Sequence, residues 1–103
     1  MLRIYKVVLE TLRELQPVLR QMEERDSDLA RQLRRCSSSV ALNLAEGMYS
    51  KAGHRAQRYR SALGSAREAL ACLEVASSCS YIESVPALQD KLDHIIGTLV
   101  KLV

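Results

Sequence analysis

A chain of 103 residues with a net charge of +3, 48% apolar and 26% charged residues and neither Phe nor Trp is long enough to bury roughly two-thirds of its unfolded surface in one domain. Its core must be aliphatic, and four Tyr supply little of the stacking surface used by proteins that bind single-stranded nucleic acid. No run approaches the eighteen or so uninterrupted apolar residues of a membrane span, and a signal peptide's apolar stretch and cleavage site are missing, so the expected location is the cytoplasm, with no membrane partner.

Three cysteines, Cys36, Cys72 and Cys79, form an odd set without CxxC spacing. That argues against a disulfide framework or a zinc site and for small apolar packing residues.

In chain order, the first helix is predicted over residues 2–24. Tyr5, Val8, Leu12, Leu15, Leu19 and Met22 alternate three and four apart, and Ile4, Val7 and Val18 widen the stripe. Pro17 removes the hydrogen bond to the Arg13 carbonyl, which predicts a kink rather than a stop, because the apolar rhythm continues beyond it. The acidic link that follows offers Asp26 or Ser27 as the next N-cap.

The second helix, predicted over 27–48, carries Leu29, Leu33, Cys36, Val40, Asn43 and Gly47 as one seam. Ala30, Ser37, Ala41 and Leu44 form a mostly small row beside it, which lets a neighbour approach closely. Gly47 has two readings, a left-handed C-cap or a point where a neighbouring backbone presses in, the first being the more ordinary use. Ser50 is then the expected cap of a third helix over 52–78.

There Tyr59, Leu63, Ala66, Leu70 and Leu73 make the seam, and Ala62, Ala69 and Ala76 the small row. Gly64-Ser65 reads as another close-packing point. Residues 77–84 are polar and form the predicted turn; a fourth helix over 85–102 opens near Pro86 and shows Leu88, Leu92, Ile95, Leu99 and Leu102. Four helices with short links predict an all-α, antiparallel up-down-up-down bundle.

The chemistry is sparse. Neither His54 nor His94 follows a Glu by three residues, so the di-iron pattern of such bundles is lacking. Asp90 and His94 share a helix face, but one pair is no ligand set. Ser37, Ser38 and Ser39 lie within a helix rather than on a strained elbow, and the four glycines are isolated. The expectation is a non-enzymatic protein with no metal and no cofactor. Asn43, an amide on the seam, and Glu46, an acid amid arginines, read as structural: the first fixes helix pairing, the second is held by Arg34, Arg35 or an arginine of the third helix.

Charge is the remaining signal. Between Arg31 and Arg67 stand eight basic residues against Glu46 alone, a local balance of +7 that leaves −4 for the rest. This predicts one basic face suited to phosphates; the alternative is a solvated surface whose arginines pair with acids of other helices or subunits.

The blocks Gln32-Leu33-Arg34-Arg35-Cys36-Ser37-Ser38-Ser39-Val40, Asn43-Leu44-Ala45-Glu46-Gly47 and Ala62-Leu63-Gly64-Ser65-Ala66-Arg67-Glu68 resemble the four-helix bundle family first noticed in intervening sequences of bacterial 23S ribosomal RNA genes. The likeness spans nearly the whole chain; Cys36 replaces the usual alanine, and Tyr59 stands where an aromatic, often Phe, is common. It marks Asn43, Glu46, Gly47, Gly64 and Ser65 as motif residues and implies a homo-oligomer, a pentameric ring.

The family resemblance extends to the accessory protein of diversity-generating retroelements, which works with nucleic acid and a reverse transcriptase. That implies RNA or DNA as a partner, with Arg34, Arg35, Arg55, Arg58 and Arg60 as phosphate contacts. The rival expectation is a protein-interaction scaffold in which the same arginines bridge subunits or hold an acidic partner.

Overall fold

Each apolar stripe becomes a helix that buries it: α1 (Arg3–Arg25), α2 (Ser27–Met48), α3 (Ala52–Ser78) and α4 (Pro86–Leu102). The computed structural model describes residues 2–103. Successive helices run antiparallel; α2 packs between α1 and α3, and α4 closes the bundle against α3 and α1. The molecule measures 42 × 22 × 19 Å, and among the described residues no helix is long and apolar enough to cross a membrane.

The predicted seams supply the core. Leu15, Leu19 and Met22 of α1, Leu33 and Leu44 of α2, Leu73 of α3 and Leu92, Ile95 and Leu99 of α4 are fully buried. Ala30 of α2 and Ala62, Ala66, Ala69 and Ala76 of α3 are completely covered, as expected where small side chains let two helices close together. Leu70 is only half-buried and Leu102 exposed, so the seams of α3 and α4 are narrower than their periodicity predicts.

Pro17 does not end α1. It and Arg13 lie on the exposed side, where water can serve the carbonyl that loses its partner. Asp26 then serves two helices: its N–H bonds the Met22 carbonyl at 2.8 Å, and its Oδ1 accepts from the Leu29 N–H at 3.0 Å. Asp26→Ala should cost about 0.5–2 kcal/mol, read as a lowered urea midpoint.

Two local expectations are corrected. Gly47 has no left-handed conformation; it sits inside α2, and a Cβ built there would overlap Cε1 of Tyr59 and lie 2.7 Å from Cδ1. The second reading is nearer the fact, with an aromatic ring of α3 pressing in rather than backbone. Ser50 does not cap α3, whose N-cap is Lys51 with no side-chain bond; the Ser50 hydroxyl donates back to the Glu46 carbonyl at 2.6 Å.

The left-handed residue is Ser80, at φ 62°. It lets the Tyr81 N–H reach the Ala76 carbonyl and the Ser80 N–H the Ser77 carbonyl at 2.9 and 3.1 Å, the paired bonds that close a helix end through a left-handed turn.

Candidate nucleic-acid interface

The outer side of α2 and α3 carries a broad open groove of about 1150 Å³. It brings Arg31, Arg34 and Arg35 of α2 together with Arg58 of α3. These positions alternate with the buried seam, so the residues that fix the helix pair also turn their arginines outward. Arg55 and Arg60 are exposed but lie outside the groove.

Most of these cations already have partners. Arg34 bonds Glu23 of α1 at 3.5 Å, Arg58 bonds Glu46 at 3.0 Å, and Arg31 pairs with Asp28 at 3.3 Å. Arg55 donates to the carbonyls of Gly47 at 3.3 Å and Ser50 at 3.1 Å, where its charge suits the negative end of α2. Among the described residues Arg35 and Arg60 make no ion pair. Because Asp28, Glu46 and Glu68 also line the groove, its surface is mixed, with a modest positive excess rather than the uniform face that the run from Arg31 to Arg67 predicts.

Beneath the arginines runs a polar chain. The Asn43 amide donates to the Ser39 carbonyl at 2.9 Å and to its Oγ at 3.0 Å, and the Ser65 hydroxyl donates to Ser39 Oγ at 2.9 Å. Asn43 thus reaches α3 through Ser39, a residue that sequence reasoning passed over because it falls off the seam. Gly64, expected to pack closely, has nothing within 4 Å of a built Cβ, and Leu42, which lines the groove, is 66% exposed.

The cysteines offer no reactive group on this side. Cys36 and Cys72 are buried, and the Cys36 thiol donates to the Leu33 carbonyl of its own helix at 3.4 Å. Burial, with Cys72 and Glu68 nearby, pushes the Cys36 thiol up to about 12, and burial raises Cys72 as well; a thiol kept protonated is a poor nucleophile. Cys79, expected to be packed, is exposed instead. Among the described residues no three His, Cys, Asp or Glu side chains converge, and His54 and His94 are exposed.

Residues 1–101 match the family model described as 23S rRNA-intervening sequence protein. The chain belongs to that family. A crystal structure from Bacteroides thetaiotaomicron, of a protein with unknown function from the S23 ribosomal protein family, has the same fold: TM-score 0.88, 16% identity and 96% of each chain covered. No curated protein matches the chain.

In this member of the 23S rRNA-intervening sequence family the motif block is a device for joining α2 to α3. Gly47 receives Tyr59, Glu46 ties Arg58, and Asn43 meets Ser65 through Ser39. Gly64 is the exception, since it leaves a bare stretch of α3 backbone open beside the groove.

Proposed function

We propose that this chain is a non-enzymatic cytoplasmic bundle that assembles with copies of itself and binds RNA or DNA by backbone charge. The observation that carries the reading is the gathering of Arg31, Arg34, Arg35 and Arg58 along one groove. The ion pairs of Arg34 and Arg58 are half-exposed and that of Arg31 more so, so exchange of a carboxylate for a phosphate costs little. Exposed Leu42 in the groove supports assembly, and a ring such as the family resemblance implies would multiply a weak site by avidity.

Four arginines each displacing a counterion should weaken duplex binding by about a hundredfold per chain between 50 and 200 mM salt. The test is fluorescence anisotropy of a labelled duplex with the wild-type chain and with Arg35→Glu combined with Arg58→Glu. Lost binding at unchanged mass by light scattering supports the reading; salt-insensitive binding, or none at low salt, overturns it.

A second reading treats the groove as a protein interface, with the arginines bridging subunits. The exposed Leu42 favours it, since an apolar side chain so placed gains from being covered. In that case the double charge reversal yields a monomer.

A further inference from the structure

The bundle sorts its charge along its length more than across its faces. Residues 2–13, 38–64 and 95–103, the half that contains the α2–α3 turn, hold eight basic and two acidic side chains, whereas 14–37 and 65–94 hold seven basic and ten acidic. The chain order hides this because antiparallel folding brings the first turns of α1, the last of α2, the first of α3 and the last of α4 to one end. The Leu2 N–H to Met48 Sδ contact at 3.4 Å ties two of them there.

That end is also where the helices break the rule for their dipoles. The first turns of α1 and α3 contain no acidic residue and neither helix has a side-chain N-cap, yet Arg3, Lys6 and Lys51 stand at those positive termini, as does Arg55, whose guanidinium bonds the carbonyls of Gly47 and Ser50. At the opposite end α2 follows the rule, with Asp26 as cap and Asp28 in its first turn, and α4, which has neither an acidic residue nor a side-chain cap there, has no cation in its first turn. Cations gathered at two helix N-termini repel the dipoles, and an anion bound there relieves both repulsions.

Of the aromatic residues at this end, one is open to solvent, in the link whose Ser50 carbonyl Arg55 holds. Tyr49, between α2 and α3, is 86% exposed, the most exposed large apolar side chain of the described residues. An open ring at an end rich in basic side chains is the combination that grips an unpaired strand: a base stacks on the ring while cations follow the backbone.

We propose that this end of the bundle docks single-stranded nucleic acid, with Tyr49 stacked on a base and Lys51, Arg3, Lys6 and Arg60 holding flanking phosphates. The proposal rests on the nucleic-acid reading above and adds the strand form and the stacking residue. Duplex can use the arginine groove by charge alone; a strand whose bases are open gains the Tyr49 contact as well.

The test uses the full chain with labelled twenty-nucleotide oligo(U), oligo(dT) and a duplex of equal length. Tyr49→Ala should weaken binding of a single strand about tenfold or more and leave the duplex unchanged, while Tyr49→Phe keeps both. The oligo(U) and oligo(dT) arms show whether RNA, DNA or either gains the contact. Because the chain contains no Trp, Tyr49→Trp provides a single tryptophan whose fluorescence the stacked base should quench.

Equal single-strand affinity for Tyr49→Ala and wild type, without quenching of the Tyr49→Trp emitter, overturns the proposal and leaves the duplex reading standing. Binding of neither strand form by the wild type overturns both. A fall in mass on light scattering for Tyr49→Ala, with single-strand affinity unchanged, overturns it in favour of a contact between copies of the chain.

Discussion

Leu33→Ala should lower the free energy of unfolding by about 2–5 kcal/mol. Leu33 is completely buried on α2, the helix that contacts both α1 and α3. Truncation removes the transfer free energy of its methyl groups and leaves a space. The α2–α3 contact has little freedom to refill it, because covered alanines such as Ala30, Ala62 and Ala66 have no side-chain rotamers to rearrange. A site that cannot collapse falls toward the upper part of that range.

Leu70→Ala is the built-in contrast. Periodicity places both leucines in seams, but Leu70 is half-buried, so about 1 kcal/mol is expected from the area it hides. Urea denaturation at one protein concentration checks both, with the midpoint shifting at constant slope. Equal losses at the two positions would mean that burial in the isolated chain misjudges Leu70, as it would if another copy covered it.

The helices were legible because each apolar rhythm persists over several turns: predicted spans of 2–24, 27–48, 52–78 and 85–102 stand against observed 3–25, 27–48, 52–78 and 86–102. Asp26 was legible for a local reason, since an N-cap needs only a short acceptor side chain three residues before a free N–H. Ser80 was not. The left-handed turn after α3 was filled without glycine, so the residue type that marks such turns was missing.

Charge was legible as composition and illegible as a pattern. Counting along the chain joins Arg34 to Arg58 in one basic run, but the antiparallel bundle sets Arg34 beside Glu23, Arg58 beside Glu46 and Lys91 beside Glu14. All three pairs join different helices, the first and third at separations of eleven and seventy-seven residues, so no local motif announces them. What emerges instead is a basic end and an acidic end, each assembled from several separate segments. The family resemblance marked the right residues of the α2–α3 joint, while the geometry explains why those types stand there.

Gly47→Ala should destabilise the protein by about 1–2 kcal/mol, against the helix-propensity trend. Inside a helix, Ala is favoured over Gly by about 1 kcal/mol, and Gly47 has an ordinary helical backbone within α2, so propensity alone predicts a gain. The new methyl, however, meets two atoms of the Tyr59 ring at less than a van der Waals separation, with Arg58 Cβ at 3.3 Å behind them. Tyr59 is 5% exposed and its ring is rigid, so relief requires α3 to move away from α2 or the ring to leave its well. Overpacking of this kind costs about 1–3 kcal/mol, and contact with two ring atoms places it high in that range. The sign should reverse when the ring is removed: in a Tyr59→Leu background, Gly47→Ala becomes a gain of up to about 1 kcal/mol. A double-mutant cycle in urea measures the coupling directly. Gly47→Ala stabilising the wild-type chain would show that the ring yields freely, and the tight α2–α3 joint built on the motif glycine would then lose its physical basis.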